Sequence, residues 1–244
     1  MIWGNQPTPK SQDGVRVVHA ASCVDKDVVW RMVGGNSGIS MTRITTMDFV
    51  VAPDPYTLFQ SWLDEASRTE PNDPNAMSLA TIGADGIPTV RIVLLKGLDD
   101  GGFVFYTNTL SRKGRELAAH PVAGLCFHWK SLRRQVRVDG RVSPVTAQEA
   151  DDYYRVRPRG SQIGAWASAQ SQPLDSRATL ERRVAEETAR FGEGDIPRPP
   201  HWSGYRVTPV RMEFWQDREF RLHDRLVYTR DAEDKGWTTE RLYP

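Results

Sequence analysis

From Asp54 onward the hydrophobic pattern of this chain changes period several times, and each change marks an element. Asp54-Pro55 opens a helical stretch, since Asp is a good N-cap and Pro suits the first turn. Leu58, Phe59, Trp62, Leu63 and Ala66 then recur on one helical stripe. Alternation with a period of two replaces it. Strands are predicted at Met77–Ile82, Thr89–Lys96 and Phe103–Thr107, separated by the turns Ala84-Asp85-Gly86 and Asp99-Asp100-Gly101-Gly102. Val122–Trp129 and Gln135–Val142 form a further pair across the basic turn Lys130–Arg134. Helices are predicted from Ser111 to about His120, from Thr146 (whose capping box is completed by Glu149), and over the charged, Ala-rich surface stretch Asp175–Phe191. A Pro-rich connector, Pro197–Pro200, leads to strands around Tyr205–Trp215, Phe220–Tyr228 and Trp237–Leu242. Successive hairpins with inserted helices predict a mainly β (α+β) chain folded as an antiparallel barrel, not a parallel doubly wound sheet. Residues 1–52 are rich in Gly, Ser, Thr and Asn and keep no period. They are expected to be a disordered or non-native N-terminal segment, with Met41 and Met47 as alternative starts, ahead of an ordered domain over 53–244.

Composition narrows the partners. At 244 residues the chain is long enough to bury a core without a metal or disulfide staple. A formal net charge of +1 leaves no global field to draw it to nucleic acid or to a membrane, so any anion must be bound by local basic clusters. Cys23 and Cys126 fit no metal-ligand spacing and read as reduced thiols. No apolar run approaches the roughly 20 residues of a membrane helix. A cytoplasmic location is expected. Dinucleotide-binding glycine patterns, phosphate-binding loops of the Walker type, metal constellations and nucleophile elbows are absent from the sequence.

Four segments carry candidate chemistry. Ser111-Arg112-Lys113-Gly114 starts a helix, and its free N–H groups beside two cations suit either a phosphate or plain solvation. Arg91 lies inside the apolar run TVRIVLLK on the face of Val93 and Leu95, with Lys96 opposite; it must snorkel, find an ion pair or meet a ligand. Tyr153 and Arg157 share a helix face. Pro158 should end that helix, so a new one begins near Gly160-Ser161 and lets Ser161 join them on a second anion. FWQDREFRLHDR, Phe214 to Arg225, reads as strand–turn–strand and concentrates an indole, arginines and His223. Such groups suit a flat heteroaromatic ligand, and the flanking arginines favour a neutral, proton-accepting imidazole.

Taken in order, RIVLLK, SRKGRELAAHP, QVRVDG, RPRGSQIGAWAS-QSQ, FWQ…RLHDR and ERLYP resemble the pyridoxine/pyridoxamine 5'-phosphate oxidases over about Asp54–Pro244. The resemblance implies an FMN-binding split β-barrel, Greek-key-like with peripheral helices, working as a homodimer with FMN at the subunit interface. It assigns FMN contacts to Arg91, Ile92, Val93, Leu94, Lys96, Tyr106, Thr107, Arg112, Lys113, Gln135, Gln170, Ser171, Trp215 and Arg225, some from the second subunit. It assigns the substrate phosphate to Lys96, Tyr153, Arg157 and Ser161, and the substrate ring and reacting carbon to Arg221 and His223. The implied reaction moves a hydride from the 4' carbon of pyridoxamine or pyridoxine 5'-phosphate to the flavin, with dioxygen as final acceptor and hydrogen peroxide as product. The family's basic-and-tyrosine segment ahead of the first helix has no counterpart in residues 1–51. Two other readings compete: a split-barrel flavin oxidase acting on a phenazine precursor, and a non-catalytic flavin or pyridoxal phosphate binding module. An unphosphorylated substrate would not require the quartet Lys96, Tyr153, Arg157 and Ser161, and a binding module would not require Arg221 and His223.

Overall fold

The computed structural model describes residues 51–99, 101–232 and 235–244, together with the backbone of 29–35 and 38–44. Cys23, Asp100 and most of the expected N-terminal segment lie outside the described residues. The chain divides into two units, residues 1–50 and 51–244. In the first, β1 (Val29–Gly35) and β2 (Gly38–Ile44) pair antiparallel where the sequence pattern predicts no element. The two strands are only seven residues each and carry Gly34, Gly35 and Gly38 at their paired ends, a signal too brief to register as a period.

The second unit opens with α1 (Pro55–Thr69), capped by Asp54 through a 2.8 Å bond from Thr57 N–H. It continues through β3 (Ala76–Ile82), β4 (Pro88–Leu94), β5 (Gly97–Asp99), β6 (Gly102–Asn108) and α2 (Arg112–Ala119). Then follow β7 (Val122–Trp129), β8 (Arg134–Pro144), α3 (Ala147–Arg155), α4 (Arg159–Ala167) and α5 (Arg177–Phe191). The C-terminal part is β9 (Trp202–Gln216), a short 3-10 turn at Glu219–Arg221, β10 (Asp224–Thr229) and β11 (Thr238–Arg241).

All pairings are antiparallel, in the order β11-β10-β9-β8-β7-β3-β4. The long strand β9 takes β6 along its first half (Val207 opposite Phe103) and β10 along its second (Trp215 opposite Arg225). Two successive partners on one edge, and a register shift at Asp139/Gly140 on the other, curl the sheet into a half-barrel. Alternation along β7 sends Ala123, Leu125, Phe127 and Trp129 inward, as period-two strands with one buried face require. Helix α1 closes this interior. Phe59 sits 4.9 Å from Phe103 and 4.8 Å from Phe127, ring centre to ring centre, and Trp62 meets Phe214 at 5.3 Å. Burying Phe59 alone stabilises the fold by about 1.5–3 kcal/mol. At the β5–β6 turn only glycine serves: Gly102 has φ +131°, and a Cβ there would lie 2.1 Å from the Val207 carbonyl oxygen.

The structure departs from the sequence pattern at two functional segments. The strand expected over Thr89–Lys96 stops at Leu94, because the Lys96 N–H turns away to the Val104 carbonyl (2.8 Å) and hands the chain from β3 to β6. The strand expected from Phe220 begins only at Asp224. Phe220 and Arg221 instead take left-handed backbone angles (φ 56° and 63°), a conformation that side-chain pattern alone does not announce for non-glycine residues.

Candidate active site

Among the described residues β4 is the end strand of its sheet, with one edge that pairs with no other strand. That edge, the end of β6, the start of α2 and the α3–α4 corner line a cavity of about 510 Å³. From β4 come Arg91, Ile92, Val93 and Leu94, four consecutive residues, as expected for a cavity that meets a strand edge and not one face. Lys96 joins them just after the strand, with Tyr106 and Thr107 from β6, Lys113 from α2 and Gln170 from the loop after α4. Tyr153, Arg157 and Ser161 complete the wall. The α3 capping box forms, with Thr146 Oγ1 accepting from the Glu149 N–H. The helix ends ahead of Pro158, and α4 starts at Arg159, which brings Ser161 round to the same cavity.

The cations of this pocket are held very differently from one another. Arg91 is tied down: its guanidinium reaches the Leu79 carbonyl (3.2 Å), both Thr81 and Thr89, and the Glu116 carboxylate (3.2 Å). Lys113 donates to Gln170 Oε1 (2.7 Å) and Thr107 Oγ1 (3.1 Å). Burial, then the charge of Arg91, pull its ammonium below the usual lysine range, and Glu116 offsets this in part. Arg157 stacks over Trp202, 4.6 Å from the ring centre, and its buried Nη1 has no hydrogen-bond partner. Burial lowers its guanidinium from the ordinary value. A buried, unpartnered guanidinium nitrogen costs free energy unless a ligand satisfies it. In an arginine this points to an anion.

The remaining sequence candidates lie elsewhere. Gln135 and Trp215 are cross-strand neighbours on β8 and β9, and Trp215 pairs on its other side with Arg225. The Trp215 ring lies 4.6 Å from that of His223. His223 Nδ1 stands 3.0 Å from Asp217 Oδ1 and accepts from the Arg218 backbone N–H at 3.2 Å, so the charged group beside it is an acid, and the Arg218 side chain goes to Asp224 instead. Arg225 is clamped to the buried Glu213, with Nε at 2.9 Å and Nη2 at 2.8 Å from Oε1. Arg221 is exposed on the left-handed turn. Along β9, Trp215 and the pocket residue Trp202 are separated by about 40 Å of strand at ~3.3 Å per residue. Arg112 faces Glu116 (2.8 Å) and does not line the cavity, nor does Ser171, whose φ is 68° beside Gln170.

Two residues that the sequence pattern does not single out matter here. Trp202 stacks on Tyr106 (5.4 Å, 6° between planes), on Tyr153 (6.1 Å, 12°) and under Arg157. Glu116, on a helix of polar appearance, is 6% exposed and accepts from β3, β4 and its own helix. Neither has a local sequence signal: a Trp after a Pro-rich connector and a Glu in RKGRELAA look like ordinary packing and surface residues.

A curled antiparallel half-barrel with a strand-edge pocket for an anion and a flat ring defines a split-barrel flavin-binding oxidoreductase. The comparisons with known proteins agree. Residues 63–191 match the family described as pyridoxamine 5'-phosphate oxidase, and residues 202–244 match the pyridoxine 5'-phosphate oxidase C-terminal dimerisation region. A pyridoxine/pyridoxamine 5'-phosphate oxidase of Azorhizobium caulinodans is 62% identical over 201 residues, covering 82% of this chain and 95% of that one. The crystal structure of PhzG from Burkholderia lata 383, in complex with tetrahydrophenazine-1-carboxylic acid, superposes with a TM-score of 0.74 at 34% identity, over 81% of this chain and 98% of that chain. A pyridoxamine 5'-phosphate oxidase-related, FMN binding protein of Nostoc punctiforme PCC 73102 shares the fold, with a TM-score of 0.64 at 17% identity over 80% of this chain and 100% of that chain. The chain belongs to the pyridoxine/pyridoxamine 5'-phosphate oxidase family, whose members are FMN-dependent oxidoreductases.

Proposed function

We propose that this chain, through residues 53–244, oxidises pyridoxamine 5'-phosphate and pyridoxine 5'-phosphate to pyridoxal 5'-phosphate, with FMN as cofactor, dioxygen as electron acceptor and hydrogen peroxide as product. The observation that carries the substrate is the convergence of Lys96, Tyr153, Arg157 and Ser161 on one cavity in which the buried Arg157 Nη1 lacks a partner. An ammonium, a guanidinium and two hydroxyls suit the several oxygens of a phosphate monoester. A tricyclic carboxylic acid such as the ligand of the Burkholderia structure brings a single carboxylate and would engage the set less fully.

The same cavity fits FMN. Lys113, Thr107 and Gln170 form a polar corner beside the open edge of β4, whose backbone groups can meet the polar rim of a flavin. FMN, when bound, supplies the two-electron acceptor. The protein orients: the phosphate quartet anchors the substrate by a group remote from the reacting carbon, so that binding energy there fixes the carbon's position. Arg221 and His223 are assigned to the substrate ring and the reacting carbon, where the imidazole holds or takes a proton. Arg112 and Ser171 are kept as FMN contacts, which require their side chains to turn inward from the positions described above. Gln135, Trp215 and Arg225 are assigned to FMN, but to the FMN of a second copy. The distance of Trp215 along β9 from the cavity, with Gln135 and Arg225 as its cross-strand neighbours, and the dimerisation region that spans Trp215 and Arg225 support a homodimer with FMN at the subunit interface. The free thiol of Cys126 accords with a cytoplasmic location. Anaerobic mixing tests the reading: pyridoxamine or pyridoxine 5'-phosphate should bleach the flavin absorbance, and flavin left oxidised at saturating substrate would overturn it.

A further inference from the structure

We infer that Glu116 is a positioning residue for the FMN phosphate, its buried carboxylate fixing Arg91 of β4 and the helix that carries Lys113, two cations that line the pocket. The inference rests on the FMN reading above. Glu116 stands one turn into α2, where Gly114 lets the helix press so closely on the preceding loop that a Cβ would fall 2.2 Å from the Thr109 carbonyl oxygen. From there Oε2 accepts from Thr81 on β3 (2.5 Å), Thr89 on β4 (2.7 Å) and Arg91 (3.2 Å), while Oε1 accepts from Arg112 Nε (2.8 Å). One carboxylate therefore ties the helix that carries Arg112 and Lys113 to the strand whose edge forms the pocket.

Charge points the same way. Arg91, Arg112 and Lys113 with Glu116 leave this corner a net charge of +2, the complement of a phosphate monoester dianion. The groups around Lys113 are Arg91 of β4 and Glu116 of α2, both charged, with neutral Thr107 of β6, Ser111 and Gln170. Glu116 is thus the counter-charge that helps keep this half-buried ammonium protonated. Burial alone would push the Glu116 carboxyl up, but hydrogen bonds from Thr81, Thr89 and Arg112 and the charge of Arg91 outweigh it and hold the pKa at about 2. It stays ionised at any pH where the enzyme works.

The test titrates FMN into apoprotein of the full chain from about pH 6 to about pH 9.5, reading Kd from flavin fluorescence. Affinity should fall on an alkaline limb as Lys113 loses its proton. In Glu116→Gln, Kd should rise about tenfold at neutral pH and the limb should move to lower pH. Glu116→Asp, which keeps the charge, should leave the limb where it is. An unchanged Kd and limb in Glu116→Gln, or a limb displaced as far by Glu116→Asp, would overturn the proposal. Lys113→Arg, which keeps its proton throughout, should erase the limb. A limb that survives Lys113→Arg belongs to another group and overturns the proposal even where Glu116→Gln does not fold. Wild-type protein that binds no FMN at any pH would sink the FMN reading itself, whereas wild-type binding with indifferent Glu116 variants sinks only this inference.

Discussion

The pocket around Lys113 and Arg157 and the sheet face around Trp215 both gather arginines and aromatic rings, yet they are built on opposite plans. In the pocket, side chains from β4, β6, α2, α3 and α4 converge on one partly open cavity, and at its wall one buried guanidinium nitrogen goes unpartnered. On the sheet face, Gln135, Trp215 and Arg225 are adjacent cross-strand positions, and the arginine is already paired: Glu213, 2% exposed, takes Arg225 and Arg211 at 2.8–2.9 Å. A concave cavity with an unsatisfied buried cation can capture an anion within one chain. An open surface with a saturated arginine gains little from a small anion in water, and contributes chiefly by being pressed against something. The difference explains how one chain can carry all the residues proposed for flavin and substrate and still leave them unjoined.

Four measurements sharpen that contrast, and the largest effect is expected on the sheet side. Arg221→Ala should lower kcat by about 10²–10³-fold, with FMN affinity changed little, as the proposed role on charge at the reacting carbon requires. Flavin lost along with turnover would reassign Arg221 to the cofactor. On the pocket side, Arg157→Ala should raise KM for pyridoxamine 5'-phosphate about 10–100-fold at near-constant FMN affinity, the worth of one charged hydrogen-bonding group. A fall in kcat alone would mean that the guanidinium does not hold the phosphate. Trp215→Leu should weaken FMN about tenfold, the loss of one flat ring contact, and leave the pocket's substrate KM nearly unchanged at saturating FMN.

The smallest effect concerns acid stability. Glu116 has a folded pKa of about 2, below the roughly 4.3 of an unfolded glutamate. Its contribution is therefore present above the unfolded value and lost as pH falls through the folded one. Urea midpoints of wild-type protein should decline between about pH 4.5 and pH 2 more steeply than those of Glu116→Gln. Equal slopes would show that the carboxylate is not held ionised by its neighbours.

Most elements were legible because their signals are local. Asp54 caps α1, Ser111 caps α2, Thr146 and Glu149 close their box, and Pro158 separates α3 from α4 at the position that turns Ser161 toward Arg157. The convergence of Lys96, Tyr153, Arg157 and Ser161 followed from helix spacing only in part, since Lys96 reaches the cavity by a change of strand partner after Leu94. What stayed hidden depends on tertiary context. Glu116 gives no sign of burial until β3 and β4 close over it, and Trp202 becomes a shared stacking surface only when α3 folds back on β9. The left-handed Phe220-Arg221 turn hid for a different reason, since no glycine or asparagine marks it. Similarly, the separation of the two residue groups cannot be read from a list of positions; it requires the length of β9.

The central claim is that two copies of the chain complete each site, and subunit mixing tests it most directly. One variant carries Lys113→Ala and Arg157→Ala, breaking the pocket half; the other carries Trp215→Ala and Arg221→Ala, breaking the sheet half. Each alone should be inactive. Unfolded and refolded together, they should recover about a quarter of wild-type activity, because random pairing in a two-fold dimer makes half the dimers mixed and each mixed dimer has one intact site. A mixture as inactive as its components, with mixed dimers demonstrated by differential tags, would contradict the account and place both halves of the site in one chain.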